Sequence, residues 1–364
     1  MRYVPIQSIK EGSILKKSVY GHNGHILLKE GVVLDSYYIQ KLNNVGINGV
    51  YIEDELSKGI EVKSVISEEL RHKAVLSVQK TFIYAQKSSS SDLENKETNE
   101  TINNITKEIV DEILDSENLM INMIDLKVFD DYTFYHSLNV AIISIVLGCS
   151  LSLKKEELYS LGLSAIMHDI GKIFVPKDVL NKPQKLDDKE WVLMKKHPTK
   201  GFKYLKDKFK LPAESYKGIL SHHERWNGTG YPNGFEYKDI NLYSRIIAVA
   251  DVYDALISDR PYRKGLLPSE AIEFILSGND VLFDPEIVNC FIRKVTPYPS
   301  GTIVKLSNNS VAIVVENFEG HGNRPLVRVF IESSNSVEPY LVDLRKKENL
   351  SLTIIGVKKD QELA

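Results

Sequence analysis

Ile166-Met167-His168-Asp169-Ile170-Gly171-Lys172 ends an apolar pattern of helical spacing over residues 154–168 with an imidazole and a carboxylate side by side. Gly171 is an ordinary helix stop signal, so the pair alone reads as a polar helix end. Its company reads differently. Five of the nine histidines fall between residues 136 and 223, namely His136, His168, His197, His222 and His223. Asp251 interrupts the apolar run Ile246-Ile247-Ala248-Val249-Ala250. An ionised carboxylate there costs several kcal/mol unless it is paired or bound to a metal.

Each residue also has a plain structural reading. His136 follows Tyr132 and Phe134 and suits a core histidine; His197-Pro198 suits helix-end punctuation. His222-His223 could be two partly exposed residues, and Asp251 could pair with Arg245 or Arg260. Their density and order together favour a metal centre. Imidazole and carboxylate without a thiolate-rich set suit divalent Fe, Mn or Zn rather than a structural zinc site. Seven such ligands exceed what one ion needs. Two ions sharing the Asp169 carboxylate would use them, and a pair roughly 3.5–4 Å apart can activate a water and clamp a phosphoryl group.

Working outward, helical spacing recurs over 105–126, 131–150, 187–207, 212–223, 240–258 and 268–276. The expected fold is mainly α: a helical catalytic domain over 105–295, with a small α+β N-terminal domain over 1–62 and a β-rich extension over 296–364. In the first of these flanks, 18–28 reads as a hairpin turning at Gly21-His22-Asn23-Gly24, 36–44 as a helix and 50–52 as a strand. A long helix over 62–86 either joins two subunits or packs on the catalytic helices. The serine run 88–91 and the polar stretch to Asn104 read as a linker, so 63–104 forms a helix plus linker. Short strands are expected over 301–306, 310–316, 325–331 and 352–355.

The bulk numbers narrow the partners. A formal net charge of −3 over 364 residues gives no general reason to expect DNA or RNA. Two cysteines, Cys149 and Cys290, suit a reducing cytosol. The N-terminus has no apolar core of signal-peptide length, and the most apolar stretch, Val140 to Cys149, is about half a membrane span. A cytoplasmic protein without a membrane partner is expected.

His168-Asp169-Ile170-Gly171-Lys172 and His222-His223-Glu224-Arg225-Trp226-Asn227-Gly228-Thr229-Gly230-Tyr231-Pro232 resemble the HDxGK and HHExxNGxGYP motifs of the HD-GYP phosphodiesterases. The segments 135–140 and 251–256 are also similar to the family. The resemblance implies an HD-type helical bundle that hydrolyses cyclic di-GMP to pGpG, with further hydrolysis to GMP in some members, through a metal-bridging hydroxide. It implies His136, His168, Asp169, His197, His222, His223 and Asp251 as ligands of two divalent ions, iron or manganese, with zinc and others also accepted. Asp169 would bridge and Lys172 would stabilise the scissile phosphate. Arg260 and Arg263 would clamp the second phosphate, while Gly230, Tyr231 and Pro232 would shape the substrate rim. Some members add a glutamate four residues before the first histidine, for a third metal. Tyr132 stands there in this chain, with Asp131 one residue too far, so two ions are expected.

The resemblance further implies diguanylate cyclase domains as partners of the GYP loop; a homodimer through helix 62–86 is the other possible assembly. Three rivals remain at this point: a hydrolase of another cyclic dinucleotide such as cyclic GMP-AMP, a non-catalytic receptor or scaffold, and a helical interaction protein. The full ligand set favours catalysis over the second, and Asp251 has no explanation under the third.

Overall fold

The computed structural model describes residues 1–21, 25–47, 49–86, 92–116, 119–121, 132–258, 264–332 and 335–358. The chain divides into two compact units, one of residues 1–64, 120–131 and 292–364 and the other of 65–119 and 132–291.

The first unit opens with β1 (Arg2–Pro5), β2 (Ile14–Leu15), β3 (Val19–Tyr20), β4 (Ile26–Leu28), α1 (Ser36–Asn44) and β5 (Gly49–Glu53). β5 is the middle strand of an antiparallel sheet ordered β1-β5-β2. The expected hairpin is β3–β4, its turn residues 22–24 lying outside the described residues. Asp35 caps α1 by accepting the Tyr38 amide at 2.8 Å, the local bond that makes this helix start legible. Val4, Leu15, Leu34, Leu42, Val50 and Ile52 form the core beneath it.

The same unit contains a five-stranded antiparallel sheet of β6 (Ile303–Leu306), β7 (Val311–Glu316), β8 (Leu326–Glu332), β9 (Asn335–Asp343) and β10 (Ile354–Val357), ordered β10-β6-β7-β8-β9. Alternation splits its side chains between two faces. Val304, Leu306, Ala312, Val314, Val327 and Val329 pack on one. Ile303, Ile313 and Phe330 pack on the other with Ile60. Arg328 adds hydrogen bonds to the Leu56 and Lys58 carbonyls at 3.3 and 2.9 Å. The regions expected as two separate flanking modules thus belong to one compact unit and share a core cluster beside the cores each has of its own. β9 escaped the sequence reading because it is an edge strand: it contains Pro339 and only Val342 is buried, so no alternating apolar pattern marks it.

The second unit is helical: α2 (Glu68–Gln86), α3 (Asp92–Asp115), α4 (Tyr132–Ser150), α5 (Lys155–Met167), α6 (Lys177–Leu180), α7 (Asp188–Met194), α8 (His197–Lys208), α9 (Ala213–Ser221), α10 (Leu242–Ile257), α11 (Pro268–Ser277) and most of α12 (Pro285–Lys294). α2 packs against α3 and α4, the second of its two expected roles. The polar stretch read as linker is a helix from Asp92 onward. One buried side chain per turn suffices to dock it: Thr98, Ile102, Ile105, Ile109 and Ile113 line a single stripe. α4 is the only helix among the described residues long and apolar enough to cross a membrane, over Thr133–Ser150, and 72% of that window is buried by its neighbours. The segment expected as one helix over 187–207 breaks into α7 and α8. Pro198 in the first turn of α8 has no amide hydrogen for the Met194 carbonyl, four residues back, so the ladder stops there.

Candidate metal centre

Helix ends deliver most of the candidate ligands. His168 is the C-cap of α5 and His222 the C-cap of α9, positions where the last carbonyls of a helix have no intrahelical partner. The ring nitrogens use them: His168 Nδ1 lies 2.7 Å from Ala165 O and His222 Nδ1 2.7 Å from Ile219 O. At the α7–α8 break, His197 Nδ1 takes the Met194 carbonyl that Pro198 cannot, at 2.9 Å. Each hydrogen bond leaves Nε2 as the lone-pair nitrogen and aims it inward, the arrangement that prepares a histidine to bind a metal. Asp169 follows His168 into the 3₁₀ turn Ile170–Phe174. This turn lies so close to α8 that a Cβ on Gly171 would overlap the His197 carbonyl.

Asp169 stands at the centre. Its Oδ1 is 3.3 Å from His197 Nε2, while its Oδ2 is 3.4 Å from His168 Nε2 and 3.7 Å from His136 Nε2. Lys172 Nζ meets Oδ2 at 2.5 Å. His197 and His222 face each other through their Nε2 atoms at 3.3 Å. Across the site, His136 Nε2 is 3.1 Å from Asp251 Oδ1 and His223 Nδ1 is 4.0 Å from Asp251 Oδ2. The seven residues fall into two groups whose donor atoms lie within 4.8 Å of one another: Asp169, His197, His222 and His223; and His136, His168 and Asp251. His168 Nε2 and Asp169 Oδ1 are buried without a hydrogen-bond partner, a costly state for polar atoms unless something else binds them. A mixed imidazole and carboxylate set with inward lone pairs fits divalent Fe, Mn or Zn.

The electrostatics agree. Burial pushes the Asp169 carboxyl up, but the Lys172 ammonium and the neighbouring His168 ring hold it well below the ordinary range. Burial likewise pushes Asp251 up, and its hydrogen bond to His136 more than reverses this. His197 and His223 are pulled down by burial to about 3 and about 4, and His222 falls well below its usual value, by burial and then the neighbouring histidines. These three rings are neutral at physiological pH, as metal ligands must be. His136 goes the other way: burial lowers it, yet hydrogen bonds to Asp251 and Asp254 raise it to about 9.

The structure therefore brings together all seven expected ligands and Lys172. Tyr231 stacks on His223 with ring centroids 4.7 Å apart, Pro232 is exposed beside it, and Gly230 lies where a Cβ would overlap the backbone of Glu224 and Arg225. Arg260, Arg263 and Asp131 lie outside the described residues. Sequence reasoning quoted Glu224 and Asp254 but gave them no role. Buried Glu224 accepts the Asn233 and Gly234 amides at 2.7 and 3.1 Å, closing the GYP loop. Asp254, fully buried, accepts His136 Nδ1–H at 2.7 Å. Its spacing from Asp251, three residues along the same helix face, was the available signal.

Comparison with known proteins places these residues in context. A family model described as an HD domain matches residues 115–287. A cyclic di-GMP phosphodiesterase of Pseudomonas aeruginosa is 31% identical, the match covering 93% of this chain and 87% of that protein. The cyclic di-GMP phosphodiesterase PdeB of Borreliella burgdorferi is 28% identical over 64% of this chain and 61% of its own length. The 3′3′-cGAMP-specific phosphodiesterase 1 of Vibrio cholerae is 38% identical over 46% of this chain and 38% of its own length.

Proposed function

The chain belongs to the HD-GYP family of HD-domain phosphodiesterases, and on that premise we propose that it hydrolyses cyclic di-GMP at a two-ion centre, yielding linear pGpG. The observation that carries this reading is the convergence of inward-facing nitrogens on Asp169, with both Asp169 oxygens directed at different histidines. His197, His222 and His223 would hold one ion and His136, His168 and Asp251 the other, with Asp169 shared between them. When bound, such ions supply Lewis acidity, lowering the pKa of a coordinated water and neutralising phosphoryl oxygens.

The protein's own residues do the rest. Burial keeps His197, His222 and His223 neutral, and outward hydrogen bonds preorient His168, His197 and His222. Little reorganisation of these rings therefore accompanies loading, whereas His136 would give up a proton. Lys172 is held by the Asp169 carboxylate with its side chain still partly exposed, which lets its ammonium offset charge on a phosphate entering from solvent. Arg260 and Arg263 would bind the second phosphate bidentately. Tyr231 and His223 present a stacked aromatic wall at the rim.

The test is chromatography of cyclic di-GMP incubated anaerobically with the full chain and Mn(II) or Fe(II), beside Asp169→Ala. Wild-type turnover to pGpG or GMP, absent from the variant, supports the reading. Tight binding without turnover overturns it in favour of a receptor. Turnover restricted to 3′3′-cGAMP, run in parallel, reassigns the substrate.

A further inference from the structure

His136 differs from the other interior histidines in what holds its Nδ1. His168, His197 and His222 use carbonyls freed at helix ends. His136 stands inside α4, where the carbonyl of the preceding turn is engaged in the helix ladder, so a side chain must serve instead. Asp254 Oδ2 does so at 2.7 Å. The second oxygen of Asp254 accepts Asn139 Nδ2–H at 3.0 Å, and Ser258 Oγ–H approaches Oδ2 at 3.4 Å. Asn139 Oδ1 in turn accepts from Arg71 Nη1 at 3.5 Å. The amide orientation of Asn139 follows from its neighbours, because a carboxylate demands the NH₂ end and a guanidinium demands the oxygen.

All four members are buried, Arg71 at 8%, Asn139 at 1%, His136 at 2% and Asp254 at 0% exposure. Arg71 belongs to α2, outside the residues 115–287 that match the HD domain. A buried guanidinium and a buried carboxylate are each costly alone and offset one another through this relay.

We propose that Asp254, oriented by Asn139 and by Arg71 of α2, is a positioning residue that fixes the tautomer and ring angle of His136, making α2 part of the metal centre. The inference rests on the two-ion reading above. Asp254 holds the proton of His136 on Nδ1 and leaves Nε2 for the ion, and a carboxylate partner also strengthens Nε2 as a donor. α2 thereby becomes a route by which a change at the helix can be felt as a change in metal affinity.

The test strips the full chain with chelator and titrates Mn(II) back against a competing fluorescent chelator. Wild type, Asp254→Asn, Asn139→Ala and Arg71→Ala are compared, with far-UV circular dichroism to establish that each is folded. Asp254→Asn preserves shape and is expected to weaken one of the two Mn(II) affinities by about 10–100-fold. Arg71→Ala and Asn139→Ala shift the same affinity in the same direction by smaller factors, while KM for cyclic di-GMP at saturating Mn(II) stays near wild type. Should Asp254→Asn fail to fold, the Arg71 and Asn139 variants decide. Folded variants with titrations superimposable on wild type overturn the relay and leave the two-ion reading intact. A wild type that takes up no Mn(II) overturns that reading, and the relay with it.

Discussion

The sheet core of the first unit and the centre of the helical unit are both buried, yet they hide opposite chemistry. Val304, Leu306, Ala312, Val314, Val327, Val329 and Leu344 form an apolar interior in which shape alone matters. His136, His168, Asp169, His197, His222 and Asp254 fill the other with ionisable groups no more than 2% exposed. Burying a methyl group stabilises a fold, whereas burying a charge costs it unless every partner is in place. Helix ends and the α7–α8 break supply those partners, and most of the candidate ligands stand there. The helical unit has its own apolar core, among it Ile102, Leu138, Ile143 and Tyr253, and the ionisable centre is set within it.

Four measurements break or sharpen this contrast. Asp169→Ala removes the shared carboxylate and is expected to lower kcat by on the order of 10³-fold or more, with metal content per chain falling alongside. Retained turnover would mean that the buried charges are structural. Leu306→Ala opens a cavity in the sheet core and is expected to cost about 2–5 kcal/mol in urea unfolding, with kcat per folded molecule near wild type. A matching loss of kcat in fully folded protein would show that the apolar region also serves the chemistry.

The third measurement uses pH. In metal-free protein, His136 rises from 6.5 to about 9. The stability it contributes is complete below pH 6.5 and is lost as pH climbs through about 9. His197 and His223, lowered from 6.5 to about 3 and about 4, act oppositely. Below pH 6.5 the unfolded chain binds protons that the folded chain refuses, so stability drops as pH falls toward 4. The urea midpoint of chelated protein should therefore decline on both sides, and a flat profile would contradict the assigned protonation states. The smallest effect belongs to Lys73→Ala, which removes an exposed pair with Glu108 between α2 and α3. It should change the unfolding free energy by no more than about 1 kcal/mol, and a larger loss would mean that α2 docks through charge rather than through its buried side chains Leu70, Ala74, Val78 and Phe82.

Local chemistry explains what could be read in advance. The helix over 36–44 carries its own cap, the catalytic helices carry strong apolar periodicity, and the strands β6, β7 and β8 are short, largely β-branched apolar runs. The N-terminal half of α3 was misread because its composition is polar and a single buried stripe docks it. β9 was missed because an edge strand needs no second apolar face. At the site, the seven residues expected as ligands stood out by residue type and order, and the structure brings them together in two groups. Glu224 and Asp254 lay in quoted motifs, but their roles depend on partners elsewhere in the fold.

The sequence by itself determined which side chains can bind metal, their order along the chain and the helices that carry them, because those properties reside in residue type and short-range periodicity. Only the tertiary structure decided which nitrogen of His136 faces inward, how Asp169 divides its two oxygens, and that Arg71 reaches Asn139. Those choices depend on contacts across 118 residues between His136 and Asp254 and 68 between Arg71 and Asn139. Such contacts arise when helices pack, and no local pattern encodes them.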